Sequence, residues 1–141
     1  MFLDFGLPLF VSPHQQPTPI WVRLPKQNYY ETLENDWGVF FWRPPGFLSN
    51  WTSSPFRYAG EAYYNAEQAI MHRKALLFGD YTVAKKIMST TDPRQALGRQ
   101  VRGFDTKTWE QTIPGLLFAI LHAKFSQNQA FGCALIETGH K

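Results

Sequence analysis

Cysteine is almost absent: the chain of 141 residues carries one, Cys133. A lone cysteine excludes an internal disulfide and any cysteine-rich zinc site. It reads instead as a small core residue of a protein kept in a reducing compartment. Paired histidines are missing too. His14, His72, His122 and His140 share no spacing of three or four residues and no HExxH word occurs, so a metal centre has no ligand set. No apolar run approaches the ~20 residues that span a bilayer. The opening MFLDFGLPLFV carries Asp4 and Pro8 and no basic start, which argues against a secretory signal. Together these absences predict a soluble cytoplasmic protein without metal, organic cofactor or membrane partner. A Walker loop, a GxGxxG turn after a strand and a Gly-x-Ser-x-Gly elbow are all lacking, which removes the standard nucleotide-fold and acyl-transfer chemistries.

Charge is sparse at 18%, and the net value of +3 tolerates anionic ligands without supplying a nucleic-acid-coating arm. Rings are what the chain has in quantity: 12 Phe, 6 Tyr and 5 Trp. Such a composition excludes disorder and builds either an aromatic core or flat surfaces for a ring-shaped ligand. The length suits one domain with a real core.

Along the chain, Pro8, Pro13, Pro17, Pro19 and Pro25 break residues 1–36 into an irregular arm with room for a short strand at 20–24. GVFF at 38–41 is the first firm strand, followed by a turn-forming loop from Trp42 to Gly46 and a hairpin over 55–64 turning at Gly60. Asp80 caps a helix over 81–88, and Asp92 with Pro93 opens a short one closing at Gly98. Asp105 caps a helix containing Trp109. Pro114-Gly115 is expected to break or kink it, with a further helix over 116–125. Asn128 is expected to cap the last piece, ending near Gly139. The fold class is α+β: a helix-dominated single domain with a few short strands toward its N-terminal side.

The stretch at 65–80, NAEQAIMHRKALLFGD, organises the rest. Asn65 suits an N-cap, Gln68 can reach back in a variant capping box, and Gly79 closes the helix. Ala66, Ile70 and Leu77, with Ala69 and Leu76, are expected to face a core. Glu67, Met71 and Lys74 fall on a neighbouring stripe, with Glu67 and Lys74 roughly 10 Å apart along the axis. That separation flanks a sugar-sized ligand, although a solvated Glu and Lys on a surface helix would show the same spacing. A wider polar and aromatic set includes Ser49, Asn50, Trp51, Arg99, Arg102, Trp109 and Lys124. Cleavage of an N-glycosidic bond needs parts of this kind: a carboxylate by the anomeric carbon, a ring to stack on the base, cations for phosphate. An amine could instead attack an opened ribose as a Schiff base. A bland alternative stands beside this one, with both tryptophans in the core and the cations solvated.

The words Phe41-Trp42, Ser49-Asn50-Trp51, Ala66-Glu67-Gln68, Lys74-Ala75-Leu76-Leu77-Phe78-Gly79-Asp80, Asp92-Pro93-Arg94, residues 98–105, Trp109, residues 123–128 and Thr138-Gly139 stand in an ordered series. In order and spacing the series resembles the NADAR (YbiA-like) family. The resemblance implies a domain over residues 37–141 and hydrolysis of N-glycosidic bonds. Its substrates are a small ribosylated molecule, such as a phosphoribosylamino-pyrimidine of riboflavin biosynthesis, or ADP-ribosylated guanine in nucleic acid. Glu67 corresponds to the catalytic carboxylate, with Lys74 and Trp109 beside it. Ser49, Asn50, Trp51, Arg99 and Lys124 correspond to substrate-binding positions. Either lysine can serve as reactive amine or phosphate ligand, and Lys74 is favoured for chemistry because it shares a face with Glu67. The family's segment after the Thr-Gly word, with its Glu, Asp, Trp and Gly, is not found here. The alternative expectation is therefore an impaired ADP-ribose- or ribonucleotide-binding module, or a truncated product without function.

Overall fold

The computed structural model describes residues 32–35, 38–41, 44–97 and 100–140, so the strand expected at 20–24 lies outside the described residues. These residues form an α+β arrangement in which helices dominate. The chain divides into two compact units: residues 1–49 with 125–141, and residues 50–124.

In the first unit, β1 (Thr32–Asn35) pairs antiparallel with β2 (Gly38–Phe41), setting Thr32 opposite Phe41. The strand GVFF lies at 38–41, as read from the sequence. Thr32–Asn35 corrects the expected arm, because a four-residue run gains its ladder from the neighbouring strand without needing strong propensity of its own. The C-terminal helix α5 (Gln129–Glu137) buries Phe131, Cys133 and Ala134, and the Phe131 ring lies 6.4 Å from that of Phe47. Asn128 precedes α5 but makes no side-chain capping bond, contrary to expectation.

The second unit is built on α1 (Ala66–Leu77), which the local signals start and stop as read. Asn65 Oδ1 accepts from the Gln68 N–H at 2.8 Å, and Gly79 takes φ +71° after the last turn. Gln68 reaches one residue further back than a capping box would, accepting from the Tyr64 N–H at 2.8 Å. Its amide nitrogen donates to the Thr90 carbonyl at 2.7 Å, which ties α1 to the end of α2 (Tyr81–Met88). The hairpin β3 (Phe56–Tyr58) and β4 (Glu61–Tyr63) turns at Gly60, φ +85°, as expected. It docks on α1 through the Tyr63 hydroxyl, 2.8 Å from His72 Nδ1.

Phe56, Tyr63, Ala66, Ala69 and Ile70 form one core cluster with Ile120 and Ala123 of α4 (Thr106–Gln127). Ala75 joins a second with Ala84 and Ile87 of α2 and Ala96 of α3 (Pro93–Leu97). Leu77 corrects the expected core face. It is 42% exposed, because beyond Ile70 the buried arc shifts to His72 and Ala75, where α2 and α3 pack.

α4 corrects the reading at Pro114-Gly115: it runs unbroken through both. Proline removes one helical hydrogen bond and crowds the preceding turn. Here Trp109 and Ile113 on one side, and Leu116 and Leu117 on the other, pack on the first cluster, while Pro114 itself is exposed. The helix is held from both sides of the defect, and the carbonyl left unpaired can be hydrated.

Candidate functional site

Glu67 stands in the first turn of α1, where one neighbouring segment holds it twice. Its backbone N–H donates to the Asn50 carbonyl at 3.0 Å, and its carboxylate accepts a hydrogen bond from the Trp51 side chain. At 8% exposure it is an enclosed acid, and the solvated-surface reading of Glu67 fails. Burial pushes its carboxyl above the usual glutamate range, and the Trp51 bond only partly opposes that. An acid raised in this way can take a proton from water and return it. Two residues earlier, the buried Asn65 Nδ2 finds no acceptor among the described residues.

Lys74, two turns along the same stripe, is half-buried and held by rings. Its Nζ lies 4.2 Å from the Phe104 centroid and 5.3 Å from that of Trp109. Trp109 therefore has both roles that composition left open: it packs beside the first core cluster and presents a face to an ammonium. Ile120 and Ala123 of α4 share the first core cluster with Ala66, Ala69 and Ile70, and Trp109 of the same helix stands by Lys74.

Lys124 follows Ala123 on α4 and is fully buried. Burial lowers its amine to about 8. Burial that disfavours the charged form of Lys124 suits chemistry that requires a neutral amine.

The fold thus brings Asn50 and Trp51 to Glu67, and Trp109 to Lys74. Ser49 is buried in the first unit, its N–H donating to the Gly46 carbonyl at 3.0 Å. Arg99 lies outside the described residues. Arg102 does not stand free: its Nη2 pairs with Asp80 Oδ1 at 3.2 Å, and its Nε and backbone N–H donate to Oδ2. These bonds hold the Asp80 carboxyl down at about 2. Sequence reasoning missed this partnership, seeing in Asp80 only a helix cap, and it read Phe104 as part of the 98–105 series without giving it a place in the site. The one local signal was Gly103, whose φ of +72° turns the chain just before the ring. Among the described residues, no three His, Cys, Asp or Glu side chains gather in a way that could hold a metal.

A family model for the NADAR domain matches residues 40–141. The chain belongs to the NADAR domain family. Among curated relatives, this NADAR chain is similar to N-glycosidase R617 of Acanthamoeba polyphaga mimivirus, 41% identical over 81 residues, which cover 56% of the chain and 48% of that protein. It is also similar to Protein irg-1 of Caenorhabditis elegans, 34% identical over 77 residues, covering 52% of the chain and 36% of that protein. The matches span about half or less of these relatives' length. No helix among the described residues is long and apolar enough to cross a membrane.

Proposed function

We propose that this NADAR domain hydrolyses the N-glycosidic bond of a ribosylated base, with Glu67 as the catalytic carboxylate. The observation that carries the reading is an enclosed glutamate in the first turn of α1, bonded by an indole and pushed toward neutrality by burial. Family membership and the N-glycosidase name of the mimivirus relative support the reaction class. In the step itself, the bond between the anomeric carbon and the base nitrogen breaks as water adds to that carbon. Glu67 takes the water proton, and the nitrogen that leaves with the bonding pair is reprotonated from the same carboxyl. In a variant of this route, the Lys124 amine adds to C1 of the opened ribose, the base nitrogen leaves that carbon with the bonding pair and a proton, and water hydrolyses the resulting Schiff base to release the sugar and return the amine.

The substrates to test are phosphoribosylamino-pyrimidines of the riboflavin route and ADP-ribosylated guanine in nucleic acid, in a reducing compartment such as the cytoplasm. Release of free base or ribose phosphate by the wild type, lost in Glu67→Gln with the melting transition retained, is the expected result. Equal turnover by both proteins would remove the assignment. A second reading keeps binding without turnover: the ring-held ammonium of Lys74 suits an anionic ligand whatever Glu67 does. Heat released on titrating ADP-ribose into a protein that turns nothing over would select it.

A further inference from the structure

The Lys74 end of α1 carries an arrangement that the carboxylate chemistry does not require. The ammonium lies over Phe104 and Trp109, and no carboxylate among the described residues pairs with it. Ring faces attract the charge but accept its N–H groups only weakly. The donors stay ready for an anion.

Phe104 is brought there by a separate device. Asp80, buried after the end of α1, accepts from the Val83 N–H at 3.2 Å and from the Arg102 N–H at 2.9 Å, and it grips the Arg102 guanidinium. The loop is thereby fixed at Arg102. Gly103 then turns it at φ +72°, a conformation strained for other residues. Phe104 emerges edge-on to Phe78, with centroids 5.3 Å apart, and over Lys74, while remaining 43% exposed. A surface ion pair alone contributes little to stability; what this one does locally is aim a ring.

We propose that Lys74 seats the phosphate of the ligand and that Phe104, set by the Asp80–Arg102 pair, is the positioning residue that presents the ammonium. The proposal rests on the ribosylated-ligand reading, because the roughly 10 Å of helix between Glu67 and Lys74 suits a ribose and its phosphate. The positioning step does not depend on that reading.

Two measurements on the full chain test it. First, lysines are methylated at limiting reagent without ligand, and rates are read by peptide mass spectrometry. Lys74 should react several-fold more slowly than the exposed Lys85 and Lys86. Phe104→Ala and Arg102→Ala should each raise its rate toward theirs, and Phe104→Tyr should restore protection. Phe104→Leu replaces Phe104→Ala if the latter loses its melting transition. An unchanged Lys74 rate in the variants overturns the positioning role. Second, ribose 5-phosphate and ribose are titrated calorimetrically. The wild type should prefer the phosphorylated sugar at least tenfold, Lys74→Gln should lose that preference, and Phe104→Ala should lose part of it. A preference retained in Lys74→Gln, or absent from the wild type, overturns the phosphate seat. Neither readout needs turnover: an inactive protein that behaves as expected here refutes the hydrolase reading alone.

Discussion

At the start of α1 a carboxylate is shut away with an indole as partner, whereas two turns later an ammonium lies over two aromatic faces and keeps contact with solvent. Both belong to one stripe, and helix geometry treats them alike. What differs is the covering. Enclosure disfavours the charged form of Glu67 and readies it for proton transfer. Rings hold Lys74 through its charge, which suits electrostatic capture of an anion. One stripe therefore carries two charged groups under different cover, and Lys124 adds a third case: a buried group like Glu67, but of the opposite sign.

The largest effect expected from this contrast is kinetic. Glu67→Gln should lower turnover by on the order of 10²–10⁴, while Lys74→Gln should act mainly on KM. Steady-state kinetics showing the reverse split would exchange the roles of the two ends. Next comes the pH dependence of Lys124. Its folded value, about 8, lies below the ordinary lysine value, so between those two values the unfolded chain holds a proton that the folded one has shed. Stability should then rise with pH through that window, by about 1.4 kcal/mol for each unit of difference. Thermal melts at pH 8 and pH 10 should show this rise in the wild type and not in Lys124→Met.

A smaller change probes the helix that serves both ends. Pro114 lies between Trp109 and Lys124, and Pro114→Ala should stabilise the protein by about 1–3 kcal/mol without altering KM. A lower melting temperature would mean that α4 depends on its proline. The smallest effect is the mirror of the lysine one. The Glu67 carboxyl is raised by burial, so in its window the folded state holds the extra proton and stability falls as pH rises. The stability of Glu67→Gln relative to the wild type should therefore increase as pH climbs through the carboxylate range. A flat difference would mean that the enclosed acid carries no penalty.

The parts of the fold legible in the sequence are those decided over three or four residues. Asn65 with the Gln68 N–H, Gly79 at the end of α1, Asp80 with Val83, and Asp105 with Thr108 are local bonds or local dihedrals, and each is found where the residue types placed it. Where the outcome depended on distant neighbours, the reading went astray. Pro114 looked like a break because the packing of Ile113 and Leu116 on α1 and the hairpin is not a local property. Leu77 looked buried because spacing gives its angle on the helix and not what lies opposite it. At the site, Glu67, Trp51, Lys74 and Trp109 were all named, yet their pairing was not: Trp51 and Glu67 are joined across a hairpin, and Lys74 and Trp109 across two helices and a loop.

By itself, the sequence determined where α1 begins and ends, and it put an acid and a base on one stripe of that helix, because caps and helical angle follow from adjacent residues. The tertiary structure alone decided that the acid is dry, that the base lies on rings, and that Asp80 steers Phe104 by holding Arg102. Covering a side chain takes neighbours from elsewhere in the chain: Trp51 stands 16 positions from Glu67, and Trp109 stands 35 from Lys74.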